Sequence, residues 1–127
     1  FLVKHLLINW KEGEKYFRNC LLDFNEANNV AQWQWVAGCG ADAAPYFRIF
    51  NPILQGEKFD KEGSYVKKWV PELSKVPSKF IHKPWEMELK YQEAINTIIG
   101  KDYPKPIVIH EEARAAALSA FQSLKKN

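Results

Sequence analysis

The densest chemistry in the 127 residues lies between positions 23 and 35. Asp23-Phe24-Asn25-Glu26-Ala27-Asn28-Asn29 is crowded with Asx side chains, and Trp33-Gln34-Trp35 follows within a turn of helix. Carboxylate and amide groups on a turn can fix hydroxyls or the polar edge of a flat ring. Indole is a large and oxidisable surface. A lone tryptophan is mainly a packing residue, but this pair beside polar anchors suits a flat aromatic cofactor or a nucleobase. Positions 33 and 35 are about 200° apart on a helix, so the two rings face opposite ways. Asx residues also terminate helices by competing for backbone hydrogen bonds. Asn29 can equally cap a helix starting near Val30.

Other chemistries find little support. His5, His82 and His110 are scattered, with no cysteine or carboxylate at ligand spacing, so no metal is expected. Asp23 and Asn25 match the first ligands of a calcium loop, but the central glycine and closing glutamate are absent. There is no Gly-rich phosphate loop and no nucleophile elbow.

The elements that must position these residues read as helices. At 46% hydrophobic and 14% aromatic, the chain can build a core. Its net charge of +3 permits contact with nucleic acid without demonstrating it. Cys20 and Cys39 are too few for a disulfide framework and fit a reducing, cytoplasmic compartment. Residues 1–8 are apolar from the first position, too short to span a bilayer, and lack a cleavage site. They read as the end of a buried helix, and the chain as the C-terminal piece of a longer protein. With that face uncovered, the piece is expected to self-associate.

Helices are expected over residues 12–22, with Tyr16, Phe17, Cys20 and Leu21 as apolar stripe, and over 30–37, ended by Gly38. Asp42 to Pro45 can start a short turn. Further helices are expected over 52–59, 61–69, 85–99 and 110–125. Ile107-Val108-Ile109 is the one β-like triplet. The fold class is all-α, and residues 1–127 form a single partial domain.

Long runs then resemble one family. They are Trp10-Lys11-Glu12-Gly13-Glu14, the Asx loop, Trp33-Gln34-Trp35, and Ala43 through Pro52 followed by Gln55-Gly56-Glu57-Lys58-Phe59-Asp60. Trp69 to Leu73, His82-Lys83-Pro84-Trp85 and Tyr103 to Val108 continue them. Over nearly its whole length the chain resembles the end of the helical FAD-binding domain of the DNA photolyase/cryptochrome family. The Trp-Gln-Trp form and the Ala43–Pro52 run look most like bacterial cyclobutane pyrimidine dimer photolyases.

The resemblance implies light-driven DNA repair. Electron transfer from photoexcited reduced FAD splits the dimer, and damaged DNA is the partner. It implies an antenna chromophore on an N-terminal domain not contained in these residues, and a parent enzyme whose C-terminal piece is inactive alone. Asp23 and Asn25 align with flavin-contacting positions, although Asp is expected where Asn25 stands. Asn29 aligns with the position facing flavin N5, where photolyases favour Asn. Trp33 and Trp10 align with the proximal and middle members of the tryptophan relay, and Trp35 with the ring that stacks on the flipped dimer, a base-flipping mode for which photolyases are a standing example. Arg48 and Lys58 are candidates for DNA phosphate contacts. An internal salt bridge, Arg48 with Asp42 for instance, is the plainer reading. A cryptochrome-type photoreceptor is the alternative function, and a flavin-free helical module that binds nucleic acid or protein a more distant one.

Overall fold

In the computed structural model, residues 1–40 and 48–125 are described. They form six α-helices and two short 3-10 turns, Pro71–Leu73 and Pro84–Glu86, with no sheet among the described residues. The turn expected at Asp42–Pro45 lies outside them. The chain divides into two compact units, Phe1–Ile49 with Val108–Asn127, and Phe50–Ile107.

The first unit carries three helices: α1 (Trp10–Cys20), α2 (Glu26–Ala37) and α6 (His110–Lys125). Residues 1–8 do not form the expected helix. Their bonds His5 N–Phe1 O, Leu6 N–Phe1 O and Ile8 N–Leu2 O close a turn, and Leu7 leaves helical space at φ 53°. The Asn9 side chain then starts a new helix by accepting from the Lys11 amide at 2.9 Å. So α1 begins two residues ahead of the expected Glu12.

The expected stripe of α1 is not its buried face. Tyr16, Phe17, Cys20 and Leu21 are exposed, whereas Gly13 and Glu14 are buried. α2 packs on α1, and the bulk at that contact comes from Trp33 of α2. The matching surface on α1 must therefore be small. α2 starts earlier than expected, because Asn25 rather than Asn29 is its cap. Asn25 Oδ1 accepts from the Asn28 amide at 3.0 Å. Gly38 ends α2 at φ 75°, where a side chain would be strained. α6 occupies its expected span, with Ala113 and Ala117 buried one turn apart.

The second unit holds α3 (Pro52–Phe59), α4 (Ser64–Trp69) and α5 (Leu89–Ala94). Asn51 caps α3, accepting from the Ile53 and Leu54 amides, and Pro52 pre-sets its first turn. α4 starts at Ser64 instead of Lys61. Gly63 sits at φ 72°, and both Asp60 carboxylate oxygens accept from amides of α4, Tyr65 and Val66, at 3.2 Å. Leu73, Val76, Ile81 and Met87 form the core, packed by Val66, Val70, Phe80, Ile95 and Tyr103. Each such buried side chain is worth about 1.5–3 kcal/mol.

The long helix expected over 85–99 is a 3-10 turn, the short α5, and a loop. Buried Gln92 explains the break. Its Nε2 donates to Met87 O at 2.8 Å and its Oε1 accepts from Ile99 N at 2.9 Å. One amide thus satisfies backbone groups on both flanks, which competes with a continuous helical ladder. Asn96 at φ 56° marks the exit.

Candidate functional site

Seven of the eight residues singled out by sequence lie on the first unit: Trp10, Asp23, Asn25, Asn29, Trp33, Trp35 and Arg48. The contact between α1 and α2 organises those that carry the strongest geometry. Asn29, 6% exposed, donates through Nδ2 to the Glu14 backbone oxygen at 3.0 Å and to Glu14 Oε1 at 3.3 Å. Glu14 Oε1 also accepts from Arg18 Nη2 at 2.7 Å and Nε at 3.2 Å. Arg18 reaches Glu26 Oε1 at 3.4 Å, tying the start of α2 to α1. The Glu14 hydrogen bond and charge raise the Arg18 pKa. The buried carboxylate is thereby paired, as a buried charge must be.

This arrangement fixes the sense of the Asn29 amide. Its nitrogen is committed to Glu14, so its oxygen is the end left to serve another group.

One turn further along α2, Trp33 lies on the backbone of Gly13, where any Cβ would overlap its six-membered ring. Phe17 meets the same indole edge-on, with ring centroids 5.1 Å apart and planes at 74°. The ring is therefore clamped, which suits an indole held in one orientation. Trp10, half-buried, opens α1, one turn ahead of Gly13. Trp35 is 37% exposed. Trp33 and Trp35 both lie within α2, where a spacing of two positions puts side chains about 200° apart.

Asp23 is exposed and lies ahead of α2, with no hydrogen bond among the described residues. Asn25 is exposed and its oxygen is engaged as the helix cap, leaving its amide nitrogen to donate outward. Arg48 is exposed, and its backbone oxygen accepts from Lys4 Nζ at 2.6 Å. Burial and Arg48 both lower the Lys4 pKa. The proposed Arg48 partner Asp42 lies outside the described residues. Lys58 belongs to the second unit. It sits exposed in the last turn of α3, its ammonium 5.1 Å from the Phe59 ring centroid.

Sequence reading missed Gly13, Glu14 and Arg18 as parts of this site. A glycine inside a helix and a Glu–Arg pair at i,i+4 were both visible. Neither signal says that the glycine receives an indole or that the pair holds an amide.

The family model described as "FAD binding domain of DNA photolyase" matches residues 1–123. The chain belongs to this family. Among photolyase-family proteins, it is 57% identical over 126 residues to the deoxyribodipyrimidine photo-lyase of Agrobacterium fabrum, covering 99% of the chain and 26% of that protein. It is 53% identical over 126 residues to the Escherichia coli enzyme of the same name, covering 99% of the chain and 25% of that protein. The fold matches a crystal structure of a class III photolyase from Agrobacterium tumefaciens, with a TM-score of 0.92, 57% identity, and coverage of 100% of this chain and 26% of that one. It also matches a Synechocystis cryptochrome, with a TM-score of 0.86, 35% identity, and coverage of 94% and 24%. The all-α reading of this photolyase-family chain holds, and its fold matches about a quarter of each of these solved chains. The chain spans about a quarter of the length of the curated relatives it matches.

Proposed function

We propose that the chain is the C-terminal part of the FAD-binding helical domain of a light-dependent DNA repair enzyme, a deoxyribodipyrimidine photo-lyase that splits cyclobutane pyrimidine dimers. The observation that carries this reading is the buried Asn29 amide, anchored on Glu14 and one turn before the clamped Trp33. The donor set fits a flavin: a neutral amide of fixed sense, a carboxylate and a second amide at the same helix start, and an oxidisable ring beside them.

Asp23, Asn25, Asn29 and Trp33 would hold FAD, which when bound and reduced supplies the light-driven electron. The Asn29 oxygen would accept from a protonated ring nitrogen. Trp33 and Trp10 would pass electrons inward. Trp35, facing the other way, would stack on the flipped dimer. Arg48 and Lys58 would hold flanking phosphates, which give affinity without reading sequence. Another part of the parent would bind the antenna chromophore. No helix among the described residues is long and apolar enough to cross a membrane, and a DNA substrate places a bacterial parent in the cytoplasm.

The test uses the full-length protein with reduced flavin, a dimer-containing oligonucleotide and blue light. Restored pyrimidine absorbance is the expected result. Light-dependent flavin redox change with no dimer splitting would replace this reading with the cryptochrome-type photoreceptor.

A further inference from the structure

The His5 and His110 imidazoles meet inside the first unit, with His5 Nε2 2.9 Å from His110 Nδ1. His5 is 8% exposed, and Phe1 stacks on it at 5.2 Å between centroids. The other nitrogen of His5, Nδ1, is buried and has no hydrogen-bond partner among the described residues.

That orphan atom decides how the pair handles protons. Two neutral arrangements exist. If His110 donates through Nδ1, His5 carries its proton on Nδ1, a buried donor with no acceptor. If His5 donates through Nε2, its Nδ1 is a bare lone pair. An orphaned N–H is the rarer and costlier state, so His5 donates and His110 accepts. A proton from solvent then has no good place on the pair. On His5 it creates an unsatisfied buried N–H. On His110 it sets two N–H groups against each other at 2.9 Å, unless His5 shifts its own proton to the orphan nitrogen.

We propose that the His5–His110 contact is an acid-operated latch, in which uptake of one proton frees the 1–8 turn from the first turn of α6. The turn is suited to release, since non-glycine Leu7 is held at φ 53° within it. Lys4 shares the turn of His5 and bonds the backbone of Arg48. On the α6 side stand His110 and the exposed Glu111 and Glu112. Burial, the largest cause, lowers the His5 pKa from its ordinary 6.5.

The sign follows. Released His5 takes a proton near its ordinary value and latched His5 only below it, so the latch is complete above about pH 6.5 and weakens as pH falls. One proton taken up on opening gives about a tenfold loss per pH unit.

Hydrogen exchange of segments 1–8 and 108–116 in the intact protein, corrected for intrinsic pH dependence, tests this. Protection in wild type should fall about tenfold per pH unit below the ordinary histidine value. His5→Asp should remove that fall, because the imidazole with the orphaned nitrogen is gone and a carboxylate accepts a hydrogen bond from His110 in its place. His5→Gln should also remove it, because its amide hydrogen-bonds to His110 without titrating, and it serves if the first variant does not fold. Wild-type protection that is flat with pH overturns the latch. So does the same acid loss in wild type and in whichever variant folds. Dimer-splitting activity does not enter either outcome.

Discussion

Trp33 and Trp35 are separable because their rings leave α2 on opposite sides. In the full-length protein, Trp33→Phe should block photoreduction of oxidised flavin, since a phenyl ring is much harder to oxidise. Dimer splitting by flavin already reduced should persist. Trp35→Ala should do the reverse. Losing a stacking surface worth about 1–3 kcal/mol lowers lesion affinity roughly 5- to 150-fold. Photoreduction kinetics and lesion-binding isotherms on both variants check the assignment, and unchanged photoreduction in Trp33→Phe would refute it. Asn29 gives a second test. Asn29→Asp removes the donor that serves Glu14 and sets two carboxylates together. The loss should be about 1–3 kcal/mol at neutral pH. A carboxyl beside a carboxylate titrates high, so the variant should regain stability as acid protonates one of them. Urea midpoints at about pH 8 and pH 5 read the difference.

At the scale of elements, the α1–α2 contact depends on the absence of a side chain at position 13. Gly13→Ala should gain about 0.5–1 kcal/mol of helix propensity and lose more by forcing the Trp33 ring aside, since overpacking costs about 1–3 kcal/mol. A lower melting temperature with a changed tryptophan emission is the expected result. A more stable variant would mean that the indole is not seated on α1. The start of α2 rests on one cap, so Asn25→Ala should cost about 1 kcal/mol. Asp23→Ala, with no bond to lose among the described residues, should cost nearly nothing. Chemical denaturation of the two variants distinguishes a capping role from a flavin contact, which would change only cofactor affinity.

At the scale of the whole molecule, apolar side chains face solvent over much of the first unit. Phe1 is 56% exposed, Tyr16 67%, and Leu22 fully. Exposed apolar surface of this kind drives association. The chain taken alone should therefore form oligomers, and light scattering showing a monomer at high concentration would contradict this. The same chain should retain no stoichiometric FAD, because it spans about a quarter of its curated relatives. A flavin band near 450 nm (roughly, the cofactor's own absorption) in protein purified without added flavin would contradict that.

Much of the fold was legible from local chemistry. Pro52 after Asn51 placed the start of α3, Gly38 stopped α2, and α6 ran over its full expected span, because caps and helix formers act within a few residues. Residue types and spacing also set out the Asx loop and the Trp-Gln-Trp pair. The tertiary structure decided what those signals leave open. Whether Asn25 or Asn29 caps α2 depended on Asn29 being drawn inward to Glu14. Whether 85–99 is one helix depended on Gln92 being buried, where its amide must find partners and takes them from the backbone. Which face of α1 is inside depended on Trp33 arriving from a different helix. The apolar stripe of α1 could not reveal it, because the surface that receives an indole is the one carrying no side chain. His5 and His110 are 105 positions apart, and no local pattern relates them. Hydrogen-bond demands of buried groups are settled only when distant segments meet, and those demands fixed the parts that sequence left undetermined.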